Sequence, residues 1–476
     1  MVHIEEIDFL VIGSGPSGQK GAIQASKYQQ KVVVIEAWEA GGSSLWTGTI
    51  PSKALREAIL DLTNFRTKSF YASASALPER SEISISDLNH RVNWVKQHLK
   101  ETLTRQLAKN CIELVKGKAR FTQDRLVEVL DLEGKVFRIF KPKKTLLATG
   151  SRPRTPKEIP IDEKKILTST GLLNLEHVPK SMIVVGAGVI GTEYASMFSI
   201  LGTKVTLVDK RMRILSFLDR EIGSHLQIAL EENRLRFLGG KGYKQIRVDG
   251  DQVIVTLDDD TELTAETALV AAGREANVSG LNLEAIELEI NEWGYLEVDE
   301  HYQTKVEGVY AAGDVIGGPC LSSTGFVQGR LAALNACGNK INRYDQVYPY
   351  GIYTIPEISC IGKTEEELKQ ANIEYEVGRS YYYEVSRSVI TGLEAGFCKL
   401  LFDPKTLQLY GAHIVGREAT ELIHIAQLAI SFNAKIDYFI REVFNFPTFA
   451  EMYRIAALNG INKLNGSLRE GANGNL

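Results

Sequence analysis

An α/β protein built from two copies of one strand–turn–helix–strand unit, followed by a smaller α+β segment, is the fold class the sequence predicts. The first copy spans residues 7–36: IDFLVIGSGPSG, a helical stretch to about Gln29, then KVVVIE. The second spans residues 181–209: SMIVVGAGVIG, EYASMFSIL, a break at Gly202, then KVTLVD. In both copies an acidic residue, Glu36 or Asp209, follows the last glycine by 18 positions. From about Tyr348 the pattern changes. CKLLFD (398–403) and QLYGAHIVG (408–416) read as antiparallel strands, and EATELIHIAQLAISF (418–432) reads as a packed helix.

Length and composition agree with that plan. The chain has 476 residues, enough for about three domains. Apolar residues make up 44% and charged residues 24%, ordinary values for a globular protein with ample core. A net charge of −4 gives no basic field for nucleic acid. No run of 18 apolar residues is present, so no membrane span is expected. The N-terminus passes through Glu5, Glu6 and Asp8 into an apolar strand, unlike a secretory signal. Five cysteines (111, 320, 337, 360 and 398) lie scattered without a CxxC. That pattern is expected of a reduced, cytoplasmic chain.

Taken in order, the first apolar strand meets Gly13-x-Gly15-x-x-Gly18. The first glycine permits a tight turn, the second a close approach of a pyrophosphate, and the third close packing of helix on strand. The helix start then offers free N–H groups and a positive dipole end to the anion. Glu36, closing the next strand, is placed to accept hydrogen bonds from a ribose diol. Gly186, Gly188, Gly191 and Asp209 repeat this pattern, so two Rossmann-like units and two dinucleotides are expected. LLATG ends at Gly150, LVAAG at Gly273, and VEGVYAAGD closes a further strand on Asp314. The expected division is a first nucleotide-binding domain over 1–150 and a second over 151–280. A return segment over 281–345 and a C-terminal α+β domain over 346–476 complete it. A solvated helix is expected over about 87–110, and a frayed tail from Asn465.

These motifs resemble the flavoprotein pyridine nucleotide–disulfide oxidoreductases, the family of lipoamide dehydrogenase and glutathione reductase. The likeness covers about residues 5–463. It rests on GSGPSG, GG…GTIPSKAL (41–55), ATGSRP (148–153), GAGVIGTEYAS (186–196), AAGR (271–274) and YAAGD (310–314). The resemblance implies FAD at the first fingerprint, NAD(H) or NADP(H) exchanging at the second, and a homodimer or larger homo-oligomer formed from about Tyr348 onward. It also implies cofactor contacts at Gly42, Lys53, Gly117, Gly150, Val189, Gly273 and Asp314. Lys53 and Glu193 match the family's ion pair beside the flavin's reactive nitrogen, where a cation stabilises the reduced ring. Val189 stands where some relatives carry a gating aromatic.

The departures from the family pattern narrow the chemistry. The family's redox-active cysteines fall at Ser44 and Thr49, and hydroxyls form no disulfide. The family's catalytic histidine falls at Phe446, before Pro447, although the accompanying carboxylate, Glu451, is present. Without disulfide or imidazole, reduction of a dithiol substrate is not expected. GTIPSKALR, GIYTIPEIS, FNFPTFAE and YRIAALNG resemble most those members that exchange hydride between two pyridine nucleotides. The expected function is therefore hydride transfer between NADPH and NAD through bound FAD, with no sulfur partner. A quinone or other acceptor reductase of the same fold, or a redox-sensing flavoprotein with little turnover, are the alternatives. Asp209 favours the diol of NAD, while Lys210 and Arg211 could turn toward a 2′-phosphate. No metal-ligand spacing and no hydrolase triad are evident.

Overall fold

The computed structural model describes residues 2–67, 84–344, 347–392, 395–464 and 466. Apart from Gly466, the expected frayed tail lies outside the described residues.

The chain opens with β1 (Ile4–Ile12), α1 (Pro16–Lys27) and β2 (Val32–Glu36). Next come α2 (Gly42–Trp46), α3 (Thr49–Thr67) and α4 (Ile85–Lys109). A strand run follows: β3 (Glu113–Lys116), β4 (Lys118–Phe121), β5 (Val127–Leu130) and β6 (Val136–Leu147). They form one sheet in the order β3-β2-β1-β6-β5-β4, parallel from β3 to β6 and antiparallel beyond. Val32, Val33, Val34 and Ile35 are all buried, as expected for a parallel strand covered on both faces. Helix α1 starts with Pro16 in its first turn and has no side-chain cap. A proline there gives up an N–H the helix does not use, and the remaining amides stay free for an outside acceptor. Ser84 and Asp87 form a reciprocal capping box at α4, which sets the start of the expected solvated helix.

The second unit begins with β7 (Ser151–Pro153), β8 (Ile166–Leu167), β9 (Ser181–Val185), α5 (Val189–Leu201) and β10 (Lys204–Asp209). It continues through α6 (Arg220–Glu232), β11 (Leu235–Gly239), β12 (Tyr243–Asp249), β13 (Gln252–Leu257), β14 (Glu262–Ala265), β15 (Thr267–Val270) and β16 (Arg274–Ala276). Its parallel sheet runs β11-β10-β9-β15-β8. A separate meander, β12-β13-β14, packs one face on it: Val253, Val255 and Leu257 alternate inward along β13. Strands β16 and β7 pair antiparallel and join the two units. The chain then returns through β17 (Val309–Ala311), which adds in parallel to β6, and α7 (Ser322–Ala336), which packs against α1. At that crossing a Cβ on Gly329 would lie 2.0 Å from the Ser17 carbonyl oxygen, so the helices meet backbone to backbone.

The C-terminal unit holds β18 (Tyr350–Ile352), β19 (Ile358–Gly362), α8 (Glu365–Gln370), β20 (Glu376–Tyr381), α9 (Ser386–Thr391), β21 (Phe397–Phe402) and β22 (Leu409–Val415). Helices α10 (Ala419–Ser431), α11 (Tyr438–Arg441) and α12 (Glu451–Leu464) complete it. Its sheet is antiparallel, in the order β18-β19-β22-β21-β20. One apolar cluster links all three regions. It contains Leu55 and Ile59 of α3, Tyr194 and Phe198 of α5, and Ile352, Phe397 and Val415 of the C-terminal sheet. Among the described residues no helix is long and apolar enough to cross a membrane.

Candidate functional site

The two glycine turns have nearly the same backbone. Gly13 sits at φ +101° and Gly186 at φ +109°, a region that only glycine enters without strain. Gly15 caps α1 at φ −65°, ψ −176°, and Gly188 caps α5 at φ −79°, ψ −175°, each without a side-chain cap. A Cβ on Gly18 would lie 1.9 Å from the Gly13 carbonyl oxygen, and one on Gly191 would lie 1.9 Å from that of Gly186. Those glycines are demanded by the fold. Gly15 and Gly188 differ, since a Cβ on either would meet nothing within 4 Å. Gly150 and Gly273, at the ends of the strands flanking each turn, face open space in the same way. Both turns thus present uncapped helix N-termini beside room that no protein atom fills, the shape that suits a pyrophosphate.

The acidic residues also hold equivalent places. Glu36 accepts hydrogen bonds from the Ser14 N–H at 2.9 Å and the Ser14 hydroxyl at 2.6 Å. Asp209 accepts from the Ala187 N–H at 2.6 Å, one residue after the first glycine just as Ser14 is. Beyond that the sites diverge. Arg211 donates its backbone N–H, Nε and Nη2 to the Asp209 carboxylate at 2.7, 2.9 and 2.6 Å. Burial raises the pKa of Asp209, but the hydrogen bonds from Arg211 and Ala187 outweigh it and hold the carboxyl below its ordinary value. The two cations that could turn toward a 2′-phosphate therefore behave differently. Arg211 is folded onto Asp209, while the Lys210 side chain lies across Gly242, with Cε 2.6 Å from where a Cβ would stand.

Lys53 on α3 and Glu193 on α5 meet, as the resemblance to the family implied. Lys53 Nζ lies 2.9 Å from Glu193 Oε1 and 2.7 Å from Oε2. The Glu193 side chain is 4% exposed and that of Lys53 24%, so the carboxylate is buried and the cation part-exposed. Asp314, after β17, accepts a hydrogen bond from the Ser151 hydroxyl at 2.5 Å. Arg274 in turn donates to the Ser151 hydroxyl and carbonyl, both at 2.7 Å. Gly42 packs near Gly15, its would-be Cβ 3.1 Å from the Gly15 Cα, so it borders the first turn. Gly117 is held differently. Its N–H donates to the Glu36 carbonyl, and a Cβ there would lie 2.5 Å from Val129 Cγ1, a packing demand of the sheet. Val189 opens α5 and packs on the shared apolar cluster.

Ser44 and Thr49 both reach Ser322 at the start of α7. The Ser44 and Ser322 hydroxyls lie 2.8 Å apart, and those of Thr49 and Ser322 lie 3.3 Å apart. The five cysteines are free. Burial and the Asp314 charge push the Cys320 thiol up to about 11, and burial and the charges of Glu367 and Asp219 push Cys360 up to about 12. Neither is a ready thiolate at neutral pH. Phe446 is 68% exposed on the C-terminal unit, and Glu451 pairs with Arg454 at 3.1 Å. Sequence reasoning missed Ser322, Ser151 and Tyr353 as parts of the site. The only signal for Tyr353 was its place in GIYTIPEIS, which as a pattern names no contact.

The pyridine nucleotide-disulphide oxidoreductase family model matches residues 7–332, and the dimerisation-domain model of the same family matches residues 348–457. The soluble pyridine nucleotide transhydrogenase of Mycobacterium bovis BCG is 40% identical over 462 residues, 97% of this chain and 98% of its own. That of Hahella chejuensis is 39% identical over 96% of this chain and 98% of its own. Among solved structures, LpdA from Mycobacterium tuberculosis has a TM-score of 0.87 at 24% identity, covering 95% of this chain and 99% of that one. The Cu(II) complex of the HOCl-induced flavoprotein disulfide reductase RclA from Escherichia coli has a TM-score of 0.86, also at 24% identity, covering 95% of this chain and 99% of that one. At that identity the two structures speak for the fold alone.

Proposed function

The chain belongs to the pyridine nucleotide-disulphide oxidoreductase family, and on that premise we propose that it exchanges hydride between NADPH and NAD through bound FAD, without a redox-active disulfide. Two matched glycine cradles in one chain, each with an open second glycine and an acid one strand later, carry this reading. The names of the relatives supply the pairing of substrates. Bound FAD supplies a ring that takes up and gives back hydride.

The chain's own residues do the rest. The amides at the start of α1 bind the FAD pyrophosphate, and Glu36 receives the adenosine ribose. The start of α5 binds the pyrophosphate of the exchanging nucleotide, with Gly188 allowing its approach and Val189 leaving the entrance unblocked. Lys53 holds a positive charge for the reduced ring, and Glu193 fixes where that charge sits. Asp314, oriented by Ser151 and Arg274, binds the flavin side of the cofactor. Ser44 and Thr49, at the positions of the family's cysteines, share hydroxyl hydrogen bonds with Ser322 and can form no disulfide there. The C-terminal unit matches the family's dimerisation domain, and the working form is a homodimer.

One site must accept a 2′-hydroxyl and a 2′-phosphate in turn. Arg211 makes that feasible. Paired with Asp209 it neutralises the carboxylate, and released it can meet a phosphate with two parallel N–H groups. The test is an anaerobic titration of the flavin with NADPH followed by addition of NAD. Bleaching and then full recovery of the oxidised spectrum are expected, and equally so in the Ser44→Ala/Thr49→Ala variant. Bleaching by NADH alone would leave an NADH-specific diaphorase, the reading that Asp209 by itself favours.

A further inference from the structure

The ion pair at the site has a third member that comes from the far end of the chain. Tyr353 follows β18, yet its ring lies under Lys53, with Nζ 4.7 Å from the ring centroid. Its backbone N–H donates to Glu193 Oε1 at 2.9 Å. One residue thus holds both partners, the cation by its π face and the carboxylate by its amide. The segment around it is stitched down on either side. Arg56 Nε donates to the Thr354 carbonyl at 3.2 Å, and its Nη2 lies 3.1 Å from Glu357. Ile355 N–H donates to the Ser196 hydroxyl at 3.2 Å, one turn beyond Glu193 on α5. Glu357 is anchored by the N–H and hydroxyl of Thr420 on α10, at 2.7 and 2.6 Å. Arg56, being engaged by carbonyl and carboxylates, stands farther from the ring, at 5.9 Å.

We propose that Tyr353 is a positioning residue for the Lys53–Glu193 pair, so that the C-terminal unit sets the electrostatic field felt by the flavin. This rests on the reading that Lys53 faces the reduced ring. An ammonium on a flexible four-carbon stem has many rotamers, and a carboxylate alone fixes its direction poorly. An aromatic face adds an attraction that strengthens as water is excluded. Losing the face lets the ammonium drift toward solvent through the side of the site where Lys53 is already part-exposed.

The experiment measures the flavin midpoint potential and the rate of reduction by NADPH in the holoenzyme. Tyr353→Phe keeps the ring and should match the parent. Tyr353→Leu should lower the potential toward that of Lys53→Met and slow reduction about tenfold. The double variant Lys53→Met/Tyr353→Leu should equal Lys53→Met, because without the ammonium the ring has nothing to hold. A series of phenylalanines carrying more fluorine atoms at position 353 alters charge on the ring with little change of size. It should lower the potential stepwise even if the leucine variant folds poorly. A flat fluorine series beside a lowered potential in Lys53→Met would overturn the role of Tyr353 alone. An unchanged potential in Lys53→Met would remove both this inference and the reading of Lys53.

Discussion

Gly15 and Gly18 are three positions apart in one motif, yet a methyl group added to each meets different surroundings. At Gly18 it would collide with the Gly13 carbonyl at 1.9 Å, and at Gly15 it would meet no protein atom. Gly18→Ala should therefore disrupt the turn itself and lower the melting temperature of the apoprotein. Gly15→Ala should fold normally, since its backbone angles suit alanine, but purify with little flavin. The ratio of flavin absorbance to protein absorbance, read beside apoprotein melting, separates the two outcomes. Retention of stoichiometric flavin by Gly15→Ala would show that the open space is not where the pyrophosphate lies. The motif already gave Gly15 to the approach of a pyrophosphate and Gly18 to packing, and the distances supply the contact that makes Gly18 necessary.

At the scale of elements, the strand–turn–helix–strand units were legible because periodicity and glycine spacing are local properties. Strands β1, β2, β9 and β10 and helices α1 and α5 lie where the duplicated pattern predicts them. The β12-β13-β14 meander was not anticipated, since short strands joined by turns such as Asp258–Asp260 leave a weak alternation. The end of β10 is where local pattern and contact part company. Lys210 and Arg211 are adjacent cations in the sequence, but only Arg211 has the reach and planar fork to close on Asp209. Arg211→Gln should raise the KM for NADPH about tenfold. The KM for NADH should stay level or fall, because Asp209 is then free for the diol. Steady-state kinetics with both nucleotides decide this, and parallel losses for the two would mean Arg211 only supports the loop.

For the molecule as a whole, a buried charge cluster ties the second α/β unit to the C-terminal one. Lys399 on β21 is fully buried, with Nζ 2.8 Å from Asp219, 2.9 Å from Glu221 and 2.5 Å from Glu365. The three carboxylates are spaced as if for a metal ion, but the ammonium already stands among them. Arg379 adds two hydrogen bonds of 2.8 Å to Glu221. Removing the ammonium strands the carboxylates, so Lys399→Met should lose about 3–5 kcal/mol by denaturant unfolding at neutral pH. Burial raises the pKa of Glu365, but Lys399 and Tyr375 outweigh it and bring the group from 4.5 down to about 2. Its contribution is thus complete above 4.5 and lost as pH falls toward 2. The gap between parent and Lys399→Met should narrow on acidification across that window. A gap independent of pH would assign Lys399 a packing role instead.

By itself the sequence determined the two glycine-turn units and their acids, which depend on residue type and short-range spacing that the chain carries wherever it folds. The pairing of Lys53 with Glu193, 140 positions apart, and the hydroxyls at the family's cysteine positions were legible only through the resemblance to a family. Tertiary structure alone decided that Ser322 joins Ser44 and Thr49, that Tyr353 completes the ion pair and that Lys399 pins two units together. Those contacts join residues up to 300 positions apart, and their partners are chosen by how the units pack. Periodicity along the chain holds no information about which distant surface a side chain will meet.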